Sequence, residues 1–203
     1  MAVTTAREDL LAAGLAVFDR DGFEGATVAA IRTRARASNG SFFHFFGSKK
    51  ELAGTLFLEI LARYHAAIIA AVSEPCGARE GVARLIRAHL DWVVNSRREA
   101  RYLFEISRSE WTEEVRGAQR AQNTRLAEAV QRWRAPLVES GELLPMTSLV
   151  FFSQIIGPAQ MFCRAWLSGR DRADPREQAD ILIACAIRAV VAPELVHKPG
   201  EAV

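Results

Sequence analysis

The sequence has few cysteines and no apolar run long enough to span a membrane. Its longest apolar stretches, residues 181–187 and 149–152, are far shorter than the roughly 20 residues of a membrane-spanning helix. The cysteines Cys76, Cys163 and Cys185 are widely separated and form no C-x-x-C pair, so reduced, buried thiols are expected. The N-terminus also lacks the basic-then-apolar order of a signal peptide. We therefore expect a cytoplasmic protein.

The short motifs of common enzyme classes are also missing. The sequence contains no G-x-S-x-G, P-loop, G-x-G-x-x-G or H-E-x-x-H pattern. Neither His65 nor His89 has a second metal ligand at i+3 or i+4, so no metal and no cofactor are expected. One cluster of carboxylates lies beside arginines and is expected to form ion pairs on helix surfaces: Glu105, Glu110, Glu113 and Glu114. The sequence does not predict an enzyme.

Acidic residues are absent between Gly25 and Lys50. Residues 1–50 hold seven Lys/Arg and five Asp/Glu, whereas the remaining residues balance at 19 and 19, so the formal charge of +2 arises entirely in this segment. Its acid-free part contains Arg32, Arg34, Arg36, Lys49 and Lys50. A basic face of this kind suits a polyanion such as DNA, although a solvated surface is the alternative interpretation.

Strand signals are missing, and helix caps recur along the first third of the chain. Asn39-Gly40 has no alternating flanks, so it does not predict a hairpin. Thr5 with Glu8 predicts the start of a helix over about 5–21, which Gly22 ends. Three further caps follow, for short second and third helices and for a long amphipathic helix to about residue 72: Thr27, Ser38, and Ser48 with Glu51.

The rest of the chain also predicts helices, near 78–95, 98–108, 110–139, 147–168 and 175–192. An all-α protein is therefore expected. The last two helices are apolar on more sides than a single core face requires. They are predicted to form half of an intersubunit bundle in a homodimer, and a purely intramolecular core is the alternative.

Residues 27–46 have the length and layout of a helix-turn-helix. The second of its helices begins with the short hydrogen-bonding residues Ser38, Asn39 and Ser41, which can meet base edges or phosphates, and Gly40 permits close approach of the backbone to DNA. The same helix then becomes aromatic, and these rings are predicted mostly to pack against neighbouring helices: Phe42, Phe43, Phe45 and Phe46.

The N-terminal residues resemble the signature of the TetR family of transcriptional regulators. About 50 residues carry the resemblance, through these positions: Phe18, Gly22, Thr27, Val28, Ile31, Ala35, Ser38, Gly40, Phe46, Ser48, Lys49 and Leu52. The resemblance implies a homodimer, an operator of two half-sites, a DNA-binding domain at 1–50 and a ligand-binding and dimerisation domain at 51–203. It also implies a DNA-facing set: Thr27, Ser38, Ser41, Phe43, His44 and Lys49, with Lys49 on phosphate.

The sequence departs from the family pattern at several positions. Arg32 replaces an alanine, and Arg36 stands where the turn usually has a glycine, so either the turn differs or Arg36 adopts a strained positive φ. Phe43 replaces a tyrosine and Phe45 a histidine, which removes two phosphate hydrogen bonds. We expect Arg32, Arg34 and Arg36 to replace them electrostatically, which would make operator binding unusually dependent on arginine.

Aromatic and isolated polar residues between about 60 and 165 suit an apolar ligand pocket, although they equally suit an ordinary core. The candidate ligand-binding residues are Tyr64, His65, His89, Trp92, Phe104, Glu105, Trp111, Asn123, Phe151, Gln154 and Phe162.

These predictions combine into one interpretation: a repressor that a small hydrophobic effector releases from a palindromic operator. The long fourth helix is predicted to link the effector site to the DNA-binding helices through a shift between two dimer conformations. The alternative is a helical ligand-sensing dimer whose DNA binding has been weakened or lost, which the changes at Arg32 and Arg36 make conceivable.

Overall fold

The computed structural model describes residues 2–106 and 111–193. Over these residues the chain is helical and contains no β-strand; one isolated bridge joins Leu143 and Val191. The helices are α1 (Ala2–Gly25), α2 (Val28–Ala35), α3 (Asn39–Phe45), α4 (Lys49–Ala70), α5 (Ala78–Asn95), α6 (Arg97–Ile106), α7 (Glu113–Glu139), α8 (Ser148–Ile155), α9 (Gly157–Leu167) and α10 (Ala179–Val190), with a 3-10 turn at Pro175–Gln178 before α10. The predicted all-α fold class is confirmed.

Two predicted helix boundaries are wrong. α1 begins at Ala2, ahead of the predicted cap Thr5. The single helix predicted over 147–168 is two helices, α8 and α9, which meet at Ile156. Pro158 explains the break because it has no N–H to donate to the Gln154 carbonyl and is tolerated in the first turn of a helix, where it lies in α9.

Gly22 interrupts α1 where the sequence predicts its end. Its φ of 70° and ψ of 171° lie outside the helical region, in a conformation that L residues with a side chain rarely adopt. One further turn follows, and the Ala26 N–H donates to the Gly22 carbonyl at 3.2 Å. The glycine therefore redirects the chain towards the start of α2.

α4 is the central helix of the molecule. It packs against α1, α5, α6 and α7, and buried residues from α1 through α10 form one continuous apolar cluster. By length and composition α4 could also cross a membrane, with a mean hydropathy of 1.4, but half of that segment is buried inside the protein. This burial is typical of the core helix of a globular protein.

We expect Gly81→Ala to lower the free energy of unfolding by about 1–3 kcal/mol, because the added methyl overpacks the core. A Cβ at Gly81 would lie 2.0 Å from Cζ2 of Trp133, whose Nε1–H donates to the Cys76 carbonyl at 3.1 Å and resists displacement. Urea denaturation measures the change. Gly117→Ala is the matched control because its nearest neighbour is an Arg120 side-chain nitrogen at 3.8 Å, and we expect a gain of about 0.5–1 kcal/mol. Equal losses in both variants would contradict this packing.

Candidate functional site

Three hydroxyl side chains cap helices of the N-terminal head, which comprises α1, α2, α3 and the start of α4. The Thr27 hydroxyl accepts from the Ala30 N–H at 3.1 Å, and the Ser38 hydroxyl accepts from the Ser41 N–H at 3.0 Å. At the start of α4, the Ser48 hydroxyl accepts from the Glu51 N–H at 3.1 Å. The Glu51 carboxylate in turn accepts from the Gly47 N–H at 2.9 Å. The predicted caps of α2, α3 and α4 are therefore present.

The turn between α2 and α3 keeps its left-handed geometry although it contains no glycine. Arg36 has φ 54° and ψ 35°, and its N–H donates to the Thr33 carbonyl at 3.3 Å. The Ala37 N–H closes the turn on the Arg32 carbonyl at 2.9 Å. Of the two alternatives left open by the sequence, Arg36 therefore bears the strain and the turn is unchanged.

We expect Arg36→Gly to raise the free energy of unfolding by about 0.5–1 kcal/mol, because glycine adopts this positive φ without strain. Chemical denaturation measures the gain. Arg34→Gly removes the same charge inside α2 and should instead cost about 0.5–1 kcal/mol. A loss of stability in Arg36→Gly would mean that its side-chain contacts outweigh the strain.

α3 separates its aromatic residues between two faces. Phe42 and Phe46 are buried and Phe45 is partly buried, whereas Phe43 is 50% exposed beside the exposed His44. Phe43 is therefore the exception to the prediction that these four rings mostly pack against neighbouring helices. Its ring makes only an edge contact with Phe42, at 5.2 Å between centroids.

The arginines of α2 lie in two environments. The Arg32 guanidinium donates to Oδ1 of Asn39 at 2.9 Å and so ties α2 to the start of α3. Arg34 and Arg36 instead border a cleft of about 470 Å³ between α1, α2 and Arg98 of α6. Of the three, only Arg32 therefore contacts the exposed start of α3.

Lys49 does not stand free for a phosphate. Its ammonium donates to the carbonyls of Phe23 at 2.6 Å and Ala26 at 2.9 Å, and it lies 4.6 Å from the centre of the Phe23 ring. These carbonyls at the end of α1 take up its donors, which is favourable because helix C-termini attract cations. Lys49 therefore has a structural role in the free protein, and its contact with phosphate stays a prediction, whereas the neighbouring Lys50 is exposed.

In the C-terminal part, four of the candidate ligand-binding residues lie together between α4, α5 and α6. The Tyr64 hydroxyl shares a hydrogen bond of 2.9 Å with Nδ1 of His89, and the Tyr64 ring lies 4.9 Å from Trp92. The His89 ring stacks on Phe104 at 6.3 Å. Cys163 of α9 is buried beside Tyr64, and burial raises the pKa of its thiol to about 12 and raises the pKa of Tyr64 as well.

Several polar atoms in this core have no hydrogen-bond partner. They include Nδ1 of His65, Nε2 of His89 and Nε1 of Trp111. Burial lowers the pKa of His65 and of His89 to about 4, so both rings are neutral at pH 7. Because an unsatisfied buried polar group costs about 1–3 kcal/mol, such atoms mark places where a polar group of a ligand would be stabilised.

Of the remaining candidate ligand-binding residues, His65 contacts the cluster through the Tyr64 ring, at 5.8 Å between centroids, and the others lie elsewhere. Asn123 and Gln154 are exposed on α7 and α8, so they do not lie in this buried cluster, and their contact with a ligand stays a prediction. His65 lies beside Gln122 of α7. The others are dispersed as follows: Trp111 lies against Phe57 at 5.2 Å, Phe151 packs on Trp133 at 6.1 Å, Phe162 is half-buried on α9, and Glu105 is exposed at the rim of a surface cavity.

That surface cavity, of about 340 Å³, lies between α6 and α9 and is lined by Arg101, Phe104, Glu105, Arg164, Leu167, Ser168 and Arg170. The sequence does not single out these arginines, because charged residues at their spacings are typical of ordinary helix surfaces. A larger cavity of about 740 Å³ lies where the ends of α4 and α7 meet, around Ile69, Val72 and Trp133. It includes none of the predicted ligand-binding residues.

Exposed apolar side chains concentrate on α8, α9 and α10. Leu149 is 78%, Met161 68% and Ile181 57% exposed. These helices are the ones for which the sequence predicts more apolar surface than a single core needs. Among the residues that the structure describes, no group of three potential metal ligands occurs.

The comparisons with known proteins agree on one family. Residues 10–56 match the family described as bacterial regulatory proteins, tetR family. No curated protein sequence matches the chain.

Similar solved structures cover nearly the whole chain. A TetR family transcription regulator from Marinobacter aquaeolei is 20% identical, with a TM-score of 0.76 over 94% of this chain and 97% of the other. The FadR transcriptional regulator of Bacillus subtilis, solved in complex with stearoyl-CoA, is 15% identical, with a TM-score of 0.74 over 89% and 97%. At such low identities these structures establish the fold. The match at residues 10–56 shows that the N-terminal part of the chain is similar to bacterial regulatory proteins of the tetR family, and the solved structures show that most of the chain has the fold of TetR family regulators.

Proposed function

We propose that this regulator is a homodimeric repressor that a small, largely apolar effector releases from a palindromic operator in the cytoplasm. The main supporting observation is α3, a capped recognition helix that buries Phe42 and exposes Phe43 and His44. Such a helix can enter a major groove while its core face stays packed on the head.

In this proposal the DNA contacts come from the starts of α2 and α3. Thr27, Ser38, Ser41 and His44 contact phosphates or base edges, and Phe43 packs on the groove, where an apolar ring can meet a thymine methyl group. Gly40 allows the backbone to approach the groove. Arg32 holds Asn39 in position, while Arg34 and Arg36, which border the cleft beside α6, add positive potential rather than direct contacts.

The dimer interface in the proposal is the apolar face of α8, α9 and α10. Leu149, Met161 and Ile181 are large, exposed and close in sequence to buried core positions of the same helices. A second copy of the chain would remove this surface from water at a gain of roughly 25 cal/mol for each Å² of apolar area. Two recognition helices would then meet two half-sites related by a two-fold axis.

The effector in the proposal binds at the cluster of Tyr64, His89 and Phe104, where Nε2 of His89 lacks a partner. Binding of stearoyl-CoA by the structurally similar Bacillus subtilis FadR supports an effector with a long apolar part. α4 carries Tyr64 and begins at Lys49 in the DNA-binding head, so a shift of α4 changes the spacing of the two recognition helices. The proposed boundary between the DNA-binding domain and the ligand-binding and dimerisation domain lies at residue 50.

Selection of bound fragments from a genomic DNA pool tests the proposal. We expect enrichment of fragments that share a palindrome, with affinity that falls steeply as salt rises. Failure to enrich any fragment at low salt would instead favour a sensing-only dimer. The intact turn at Arg36 and the Arg32–Asn39 bond argue against that alternative.

A further inference from the structure

The cavity between α6 and α9 carries an excess of positive charge. Three of its lining residues are arginines, against one glutamate, and none of its other lining residues is charged. Arg164 donates to the Phe104 carbonyl at 3.4 Å, and Arg170 donates to the Ser168 hydroxyl at 3.1 Å. Within the described part of the chain, neither guanidinium forms an ion pair with a carboxylate. Both can therefore take an anion without breaking an existing ion pair.

The floor of this cavity connects it to the aromatic cluster. Phe104 lines the cavity on one side and stacks on the fully buried His89 on the other. Nε2 of His89 has no partner, while its Nδ1 bonds to the Tyr64 hydroxyl. A molecule that displaced the Phe104 ring would therefore have its charged end at the arginines and its apolar part in the core, close to an unsatisfied polar atom.

Arg101 links the same cavity to the DNA-binding head. Its guanidinium donates to Oδ1 of Asp19 on α1 at 2.8 Å, and Arg98 reaches Oδ2 of the same carboxylate at 3.3 Å. Asp19 precedes Gly22, where α1 is interrupted. The Phe18 ring, next to Asp19, stacks on Tyr102 at 5.6 Å. An acidic group in the cavity would compete with Asp19 for Arg101, and this competition would loosen the contact between α6 and α1.

We propose that the effector is an amphipathic anion whose acidic group binds Arg164, Arg170 and Arg101, and that it weakens operator binding by drawing Arg101 away from Asp19. This inference rests on the proposed function, since it names the chemical class of the effector and a route to the head besides α4. Reciprocity follows from linkage: if the anion and Asp19 compete for Arg101, removing the Asp19 charge must strengthen anion binding.

The test uses the full-length protein with decanoate and its uncharged analogue decanamide as probes. Calorimetry and tryptophan fluorescence, to which Trp92 beside the cluster contributes, measure binding. We expect decanoate to bind at least tenfold more tightly than decanamide, because only decanoate can form charge-assisted hydrogen bonds with the arginines. Equal binding of the two probes, or binding of neither, would overturn the inference.

Substitutions of the cavity arginines test whether these residues bind the anion. Arg164→Gln with Arg170→Gln should weaken decanoate binding by about tenfold or more and leave decanamide binding unchanged. Arg84→Gln, which changes a partly exposed arginine of α5 that pairs with Glu80, is the matched control and should bind decanoate as the unmodified protein does. A decanoate affinity insensitive to the double substitution would place the anion elsewhere and refute the site.

Asp19→Asn tests the link to the head. The variant should bind decanoate about two- to fivefold more tightly, and its operator affinity should respond less to decanoate because the ion pair is already broken. Weaker decanoate binding in this variant would refute the competition. A protein that binds an operator but not decanoate retains the proposed function and loses this inference. Arginine-dependent decanoate binding by a protein that retains no DNA fragment would support the anion site but contradict both the repressor function and the link to operator binding.

Discussion

Phe42→Ala should destabilise the protein strongly, whereas Phe43→Ala should abolish most operator binding in a stable protein. Phe42 is fully buried between the helices of the head, so its truncation should cost about 3–5 kcal/mol of unfolding free energy. Phe43 is half exposed on the outer face of α3, so its truncation should change stability by less than about 0.5 kcal/mol. We expect its operator affinity to fall at least tenfold.

The two variants make matched controls for each other because they remove the same ring from adjacent positions. Urea denaturation gives the stabilities, and fluorescence anisotropy with a selected operator fragment gives the affinities. If Phe43→Ala binds the operator normally, α3 does not present this face to DNA. If it unfolds as readily as Phe42→Ala, the exposed position assigned to Phe43 is wrong.

Acidification should destabilise the protein through His65 and His89. In the folded protein the pKa of each is about 4, against 6.5 for an unburied histidine, so the unfolded chain binds more protons between these pH values. The stabilisation is therefore complete above pH 6.5 and is lost as pH falls towards 4, by up to about 1.4 kcal/mol per pH unit for each histidine. Between pH 7.5 and 5 the two together should cost about 4 kcal/mol.

Urea denaturation at a series of pH values measures this slope. His65→Gln and His89→Gln should each remove about half of it, and the double variant should remove nearly all. His89→Gln also loses the hydrogen bond between Nδ1 and Tyr64, so its stability at pH 7.5 should be lower while its slope is smaller. A slope unchanged by either substitution would mean that other groups govern the acid sensitivity.

The sequence predicts the N-terminal head well because its helices depend on local interactions. Thr27, Ser38 and Ser48 cap helices through hydroxyl to N–H bonds that span only three residues, and sequence spacing specifies such contacts. Gly22 interrupts α1 for an equally local reason, its positive φ. Arg36 is the exception: the sequence leaves open whether the turn changes, and only the backbone angles decide that it does not.

Non-local contacts explain why the environments of some basic residues differ from those that the sequence predicts. Lys49 lies at the start of α4 as predicted, but its donors reach the carbonyls of Phe23 and Ala26, more than 20 residues away in the chain. Arg34 and Arg36 belong to the basic segment, yet they border a cleft beside α6. Sequence spacing alone gives the position of a charged residue along a helix. It does not give the neighbouring element that the charged side chain faces.

The candidate effector site also depends on non-local contacts that sequence spacing does not specify. Tyr64, His89 and Phe104 come together because three helices cross, and periodicity identifies each as a core-facing residue without identifying its neighbours. Asn123 lies in the polar helix α7 and Gln154 in the apolar helix α8, and the spacing of neither distinguishes an orienting group in a pocket from an exposed side chain. Arg164 and Arg170 line a cavity only because α6 and α9 lie next to each other in the fold, which the sequence does not specify.

A footprint of the full-length protein on a selected operator tests the central claim most directly. Two recognition helices in a symmetric dimer should protect two half-sites with the same inverted sequence, whose centres lie about one helical turn or a multiple of it apart. The protection should weaken as salt rises. Protection of a single half-site, or uniform protection without regard to sequence, would contradict the proposal that this chain is a dimeric, operator-specific repressor.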